Sequence, residues 1–167
     1  MAMYLIRCSH VRQVGLYVHG RSKGGVRCEV DYLLGGRVPY QLHHLGISLP
    51  TRRAAERAQR TLGVDAEWVN ELAQHDCVCY FCPAPGPALE FVVPLHAGSS
   101  TNKLPGGVHH FGLLVRNLDE AWCTLEEDGY QFIDAAPLEV VGRYRIGFLD
   151  PMRFGFLVEL VEDKLVE

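Results

Sequence analysis

The sequence predicts an α+β protein composed of two βαβββ modules, and an internal duplication is the main observation behind that prediction. The residues His-His-Leu-Gly-Ile at 43–47 return as His-His-Phe-Gly-Leu at 109–113. The same spacing also matches an alanine and a later glycine in each copy, Ala55 with Ala121 and Gly63 with Gly129. A length of 167 residues, 48% of them apolar, is the second observation, because it is typical of one globular domain.

The duplication divides the chain into four segments. They are an N-terminal extension at 1–38, a first module at 39–95, a linker at 96–107 and a second module at 108–163. The extension does not fit the repeat, and its two alternating stretches at 11–19 and 26–34 predict a β-hairpin. The linker is rich in Gly, Ser and Pro, which favours an irregular connection.

The first module begins with an alternating strand at 41–49. Pro50 and Thr51 then open a predicted helix that ends before Gly63, in accordance with the usual start and stop residues of helices. Three short strands follow, and the Pro- and Gly-rich stretch 83–87 separates the last two. Their predicted bounds are 68–72, 77–82 and 89–93.

The second module repeats this order. A strand at 108–115 precedes a helix that Asn117 caps, with Glu120 three residues further on, and Gly129 marks the end of the helix. The three remaining strands of the module are predicted at 130–133, 144–149 and 156–161.

Composition and charge exclude several classes of protein. A formal charge of −4, from 16 basic and 20 acidic residues, provides no overall basic field for nucleic acid. No run of 18 apolar residues is present, so the sequence predicts no membrane partner. Six unevenly spaced cysteines favour a reducing compartment over a disulfide scaffold. We therefore expect a cytoplasmic protein with a small-molecule substrate; a mitochondrial matrix location is the alternative if the chain is eukaryotic.

The histidine pairs lie on the first strand of each module, where alternate residues share a face. The apolar residues of each strand should pack against the helices, and His43 and His109 fall on that same face. The second histidines, His44 and His110, then point to the opposite, concave face, where a glycine two residues further on leaves room. The symmetry of the duplication predicts that His44 and His110 approach each other there.

Two carboxylates complete this pattern. Glu90 and Glu159 each lie in a strand that is otherwise nearly all apolar, and a charge there is costly unless it is paired or bound to a metal. Together with His44 and His110 they form a mixed nitrogen and oxygen ligand set. Such a set suits one divalent first-row ion, namely Zn, Co, Ni, Mn or Fe.

Four segments resemble the vicinal oxygen chelate superfamily, and most closely its methylmalonyl-CoA epimerase and glyoxalase I branch. The segments are 43–49, Leu-Glu-Phe-Val-Val-Pro-Leu at 89–95, Gly-Gly-Val-His-His-Phe-Gly-Leu-Leu-Val at 106–115, and 148–161. The resemblance covers residues 40–163 and implies a curled mixed sheet, a half-barrel around one metal. It also implies four metal ligands, which are His44, Glu90, His110 and Glu159.

The same resemblance implies a metal-dependent isomerase or lyase that acts through an enolate-like intermediate, with epimerisation of an acyl-CoA or related carbonyl substrate as the leading case. Epimerases of this branch often carry a glutamate base on the third strand of the first module, and the corresponding position here is Val78. Glyoxalase I implies instead that Glu90 and Glu159, as metal-bound carboxylates, share the proton transfer. We expect a homodimer, and whether the modules pair within one chain or across that dimer stays open.

Two other functions are compatible with the resemblance. An extradiol-type Fe(II) dioxygenase would use His44, His110 and Glu159 as its triad, but Glu90 would then fill a position that oxygen chemistry needs open. A sequestering protein of the bleomycin-resistance kind would use the fold without metal, and the intact ligand set counts against it.

Two arginines and three cysteines near the ends and on the faces of strands also receive assignments. Arg143 and Arg145 precede an apolar strand and are candidates to contact an anionic group of the substrate; a solvated strand end is the alternative. Cys77 and Cys79 share one strand face and Cys82 lies on the other, so the three thiols cannot easily converge on a metal and are interpreted as buried structural residues.

Overall fold

The computed structural model describes residues 37–99, 107–151 and 156–166. Along the chain, the elements are β1 (Tyr40–Ser48), α1 (Arg52–Leu62), β2 (Trp68–Leu72), a 3₁₀ turn (Ala73–His75), β3 (Cys77–Cys82), β4 (Ala88–Pro94), β5 (Gly107–Val115), α2 (Leu118–Glu127), β6 (Leu138–Val140), β7 (Tyr144–Leu149) and β8 (Leu157–Asp163). The order βαβββ therefore occurs twice, which confirms the predicted α+β class. The predicted hairpin at 11–19 and 26–34 lies outside the described residues.

One mixed sheet contains all eight described strands, in the order β2-β3-β4-β1-β5-β8-β7-β6. The first strands of the two modules, β1 and β5, pair antiparallel at its centre. Each of them pairs in parallel with the last strand of its own module, β1 with β4 and β5 with β8. The sheet is curled, because Leu72 at one edge and Val140 at the other belong to the same buried cluster on its concave face.

The helices begin and end where the local sequence predicts. The Thr51 side chain accepts a hydrogen bond from the Ala54 amide at the start of α1, and Gly63 ends the helix in the left-handed conformation at φ 66°. At the start of α2, the Asn117 side chain accepts from the Glu120 amide in the same manner. Each cap satisfies an amide that has no partner within its own helix.

Each helix covers its own part of the convex face of the sheet. Leu118, Trp122 and Leu125 of α2 pack on β5 and β8, while Ala55 of α1 packs on β3 and β4. The inner strands are therefore buried on both faces, which leaves the concave face as the place where polar side chains need partners. None of the helices in the described parts of the chain is long and apolar enough to cross a membrane.

The strand predicted at 130–133 is wrong. The second strand of the second module is β6, further along the chain, and Phe132 forms only a single bridge with Leu149. The reason is packing on α2: the Phe132 ring stacks on Trp122 with 3.6 Å between ring centroids. Tyr130 also packs against this cluster, so both aromatic residues cover the helix instead of extending the sheet.

Candidate metal centre

A β-bulge precedes the second histidine of each pair. On β1, Leu42 pairs with Leu113 and His44 with Gly112, so His43 is an extra residue in its strand. On β5 the same shift leaves His109 as the extra residue. A bulge of this kind turns two consecutive side chains towards the same side of a sheet. Both histidines of each pair consequently lie on the concave face.

The predicted approach of His44 and His110 is present. Their Nε2 atoms are 2.7 Å apart across the β1–β5 pair, and both side chains are buried. Each ring occupies the space above the glycine of the other module's motif. A Cβ added to Gly46 would lie 2.2 Å from His110 Cε1, and one added to Gly112 would lie 2.1 Å from His44 Cε1. The two glycines therefore provide the room for the facing rings.

Glu90 and Glu159 reach the same point from β4 and β8. Glu90 is level with Gly46 and Glu159 with Gly112, so each carboxylate comes from the strand beside a glycine. The nearest distances are 3.3 Å from Glu90 Oε2 to His110 Nε2 and 2.9 Å from Glu159 Oε2 to His44 Nε2. Both glutamates are buried.

Burial and the neighbouring charges shift the pKa values of the two carboxylates in opposite directions. Burial raises the pKa of Glu90, and the attraction of His44 and His110 only partly offsets it. Burial also opposes ionisation of Glu159, but the charge of His44 and the close approach of both histidines, 2.9 Å and 3.5 Å from Oε2, hold its pKa well below the usual range. Burial disfavours the charged form of His44, but the neighbouring Glu159 carboxylate raises the pKa of His44 overall. Without metal, Glu159 is the ionised carboxylate and Glu90 the one that holds a proton more readily.

These four side chains fit a divalent metal ion by their chemistry. One atom each from His44, Glu90 and His110 lies within 4.8 Å of the others, and Glu159 Oε2 lies against both histidines. The buried Glu159 Oε2 makes no aligned hydrogen bond, which is a cost that coordination would remove. Two imidazole nitrogens and two carboxylates are a ligand set of zinc and its first-row neighbours.

The expectation that His43 and His109 pack on the helix side is wrong. His43 donates or accepts a hydrogen bond with His44 through their Nδ1 atoms at 2.8 Å, and His109 does so with His110 at 2.9 Å. Burial, reinforced by the neighbouring histidine, lowers the pKa of His43 and of His109 to about 4. Each is thus a neutral ring that orients its neighbour and leaves the Nε2 atom of that neighbour for the metal.

A cavity of about 180 Å³ opens beside the cluster on the concave side. Glu90, His110 and Glu159 lie on its wall, and the rest of the lining is mostly apolar. Of the β3 residues, Cys77 and Cys79 face this cavity with 3.9 Å between their sulfur atoms. Val78 stands at the position of the glutamate base that many epimerases of this branch carry, but it packs with Ala55 under α1. Cys82 also lies on that helix side, as the alternation of the strand predicts.

Acidic side chains hold both arginines that were predicted to contact substrate. Arg143 forms a bidentate ion pair with Asp163, in which Nε donates to Oδ1 at 3.0 Å and Nη2 to Oδ2 at 2.6 Å. Its guanidinium group also lies over the Tyr144 ring. Arg145 contacts Asp119 at 2.6 Å and Glu162 at 2.9 Å on the outer side of β7. Neither arginine lines the cavity beside the metal cluster. Their role in substrate binding stays a prediction.

Comparison with known proteins supports the same assignment of fold. The profile described as Glyoxalase/Bleomycin resistance protein/Dioxygenase superfamily matches residues 43–148. An ethylmalonyl-CoA/methylmalonyl-CoA epimerase from Cereibacter sphaeroides is 30% identical over 128 residues, which are 72% of this chain and 96% of the relative.

Solved structures of epimerases share the fold at lower identity. A Streptomyces coelicolor methylmalonyl-CoA epimerase variant in complex with 2-nitronate-propionyl-CoA has a TM-score of 0.65 and 23% identity, covering 75% of this chain and 96% of that one. The Mycobacterium tuberculosis methylmalonyl-CoA epimerase has a TM-score of 0.66 and 20% identity, covering 86% and 93%. Together with the matched profile and the duplicated βαβββ sheet, these likenesses lead to one conclusion. The chain belongs to the glyoxalase/bleomycin resistance protein/dioxygenase superfamily.

Proposed function

We propose that this protein is a metal-dependent epimerase that moves a proton at a carbon next to a thioester carbonyl. The observation that carries the proposal is the convergence of His44, Glu90, His110 and Glu159 on one point at the wall of a cavity. The 30% identity to an ethylmalonyl-CoA/methylmalonyl-CoA epimerase supports an acyl-CoA as the substrate. A homodimer and a cytoplasmic location remain parts of this proposal.

The four side chains would hold one divalent ion, with the neutral His43 and His109 orienting the two ligand histidines. When bound, such an ion supplies Lewis-acid polarisation of a substrate carbonyl and so acidifies the neighbouring C–H. The cavity is smaller than the range of about 300–1,000 Å³ that holds drug-sized ligands. It therefore suits an acyl group of a few carbons, and the bulk of a coenzyme A thioester would remain outside.

Proton transfer requires a group that gives a proton as well as one that takes it. Two carboxylates with opposite pKa shifts are the usual sign of such a division of labour. In the metal-free site Glu90 holds a proton more readily than Glu159, because burial is the dominant influence on its pKa. A metal-bound carboxylate is a weak base, so Glu90 would have to leave the ion as the substrate binds. We assign Glu90 as the carboxyl group that exchanges a proton with the substrate carbon, and Glu159 as the carboxylate that remains charged.

Exchange of the α-proton with solvent tests this function. Full-length protein loaded with Zn²⁺, Co²⁺ or Mn²⁺ is incubated with methylmalonyl-CoA in D₂O, and proton NMR follows loss of the C2 signal. We expect exchange with metal and none after chelation. Glu90→Gln should slow exchange of at least one C2 epimer by about 10²- to 10⁴-fold, the usual effect of losing a general acid or base, and should weaken metal binding much less.

The matched control is Glu71→Gln, because Glu71 is an exposed carboxylate on β2 that pairs with Arg52. It should exchange at the wild-type rate. Failure of the loaded wild-type protein to exchange thioester or ketone substrates would contradict the proposal. Oxygen consumption with a catechol would favour the dioxygenase instead, with His44, His110 and Glu159 as its iron ligands.

A further inference from the structure

A histidine and an aspartate from opposite edges of the sheet meet at the mouth of the cavity. His75 ends the 3₁₀ turn after the edge strand β2, and Asp134 lies in the connection that leads to the other edge strand, β6. The distance from His75 Nε2 to Asp134 Oδ2 is 3.3 Å. Both atoms are buried and neither makes an aligned hydrogen bond. The two side chains are part-buried, and a polar contact whose facing atoms are hidden from water needs an explanation, of which catalysis is a common one.

His75 also lines the same cavity as the metal cluster. Glu90, His110 and Glu159 lie on its wall together with His75. The His75 ring is 5.4 Å from the Phe148 ring, and Phe148 is 5.4 Å from the His110 ring. One aromatic side chain therefore separates His75 from a ligand of the proposed metal. A substrate held in this cavity would therefore meet His75 as well as the carboxylates.

The tautomer of His75 follows from its partner. Asp134 Oδ2 lies 3.3 Å from His75 Nε2 and favours the tautomer with the hydrogen on that nitrogen. In this tautomer Nδ1 carries the lone pair and can act as a base. This is the arrangement in which a carboxylate fixes an imidazole for proton transfer. It also provides what β3 does not, since Val78 packs under α1 and the cavity wall there consists of thiols.

We propose that His75 is the second catalytic group of the epimerase, with Asp134 as its positioning residue. Nδ1 of His75 takes the proton from the substrate carbon as the C–H bond breaks, and the electron pair passes into the enolate. Glu90, which would leave the ion as the substrate binds, gives a proton to the same carbon from the other side, and the C–H bond re-forms with inverted configuration. Solvent then removes the proton from His75 and returns one to Glu90. This inference rests on the proposed epimerase function.

A reaction with two proton-transfer groups responds to loss of one of them in a distinctive way. Each C2 epimer of methylmalonyl-CoA presents its proton to one group only, so the two epimers can be tested separately in D₂O. With His75→Gln, one epimer should lose exchange by about 10²-fold or more, while the other still exchanges without inverting. Asp134→Asn should slow exchange of the same epimer, and its KM should remain within about twofold of wild type. A merely structural role would slow both epimers alike.

The chain offers a matched control in His96, which pairs with Asp76 at 3.4 Å but is exposed and lies outside the cavity lining. His96→Gln should exchange both epimers at the wild-type rate, and melting temperatures should verify that all variants fold. If His75→Gln leaves both epimers unchanged, or slows both equally, the assignment of His75 is overturned while the epimerase stands. If wild-type protein exchanges neither epimer, the proposed function is overturned and the role of His75 with it.

Discussion

Replacing Gly112 with alanine should impair the metal site by displacing the ring of His44. The added Cβ would lie 2.1 Å from His44 Cε1 and 2.3 Å from Nδ1, whereas ordinary contact begins at 3.4 Å. The ring must therefore withdraw by more than 1 Å. Metal–ligand distances tolerate deviations of only about 0.2 Å, so His44 could not keep its position as a ligand.

Two magnitudes follow from this displacement. Overpacking of a buried site costs about 1–3 kcal/mol of folding free energy, and loss of ligand positioning costs about 10- to 100-fold in metal affinity. Gly46→Ala should behave in the same way, since its Cβ would lie 2.2 Å from His110 Cε1. The matched control is Gly86→Ala, because no atom lies within 4 Å of a Cβ at that position.

Calorimetric titration with Zn²⁺ and urea unfolding of the metal-free proteins measure both quantities. The control should bind as the wild type does, and the two motif variants should bind more weakly. Wild-type affinity in Gly112→Ala and Gly46→Ala would refute the reasoning, because it would mean that the facing rings do not need the space above the glycines.

Three further predictions concern stability. Burial lowers the pKa of His109 to about 4, so the unfolded state binds a proton first as the pH falls. This side chain alone should therefore cost the metal-free protein on the order of 2–3 kcal/mol between pH 6.5 and 4. Urea unfolding should show a shallower pH slope for His109→Gln but not for the exposed His96→Gln. Gly147→Ala, whose Cβ would lie 2.5 Å from the buried Trp122 ring, should lower the free energy of unfolding by about 1–3 kcal/mol. Saturation with Zn²⁺ at ~100 times its Kd should raise that free energy by about 2.7 kcal/mol, measured as a higher melting temperature, and no rise would argue against a native-state site.

The duplication allowed much of the site to be predicted from sequence. Equivalent residues in two modules that share one sheet lie at equivalent depths, so His44 had to face His110 once β1 and β5 paired. The structure also explains the glycine two residues after His44 and after His110, since a side chain there would collide with the facing histidine ring. Helix bounds were predictable because the caps at Thr51 and Gly63 act locally.

The features that were missed depend on long-range geometry. A β-bulge is set by the pairing of two strands, and therefore the strict alternation assumed for His43 and His109 placed them on the wrong face. Curling of the sheet brings its edges together, which no local pattern at His75 or Asp134 could indicate. The displaced second strand of the second module has the same origin, because Phe132 packs on α2.

Metal analysis of the purified chain tests the central claim most directly. After loading and removal of excess ion, elemental analysis of wild-type protein should give one divalent ion per chain. His110→Gln and Glu159→Gln should each lose that ion although the first module is unchanged, because each variant leaves only three of the four ligands. Full occupancy in either variant, or two ions per chain in the wild type, would contradict a single site shared by the two modules.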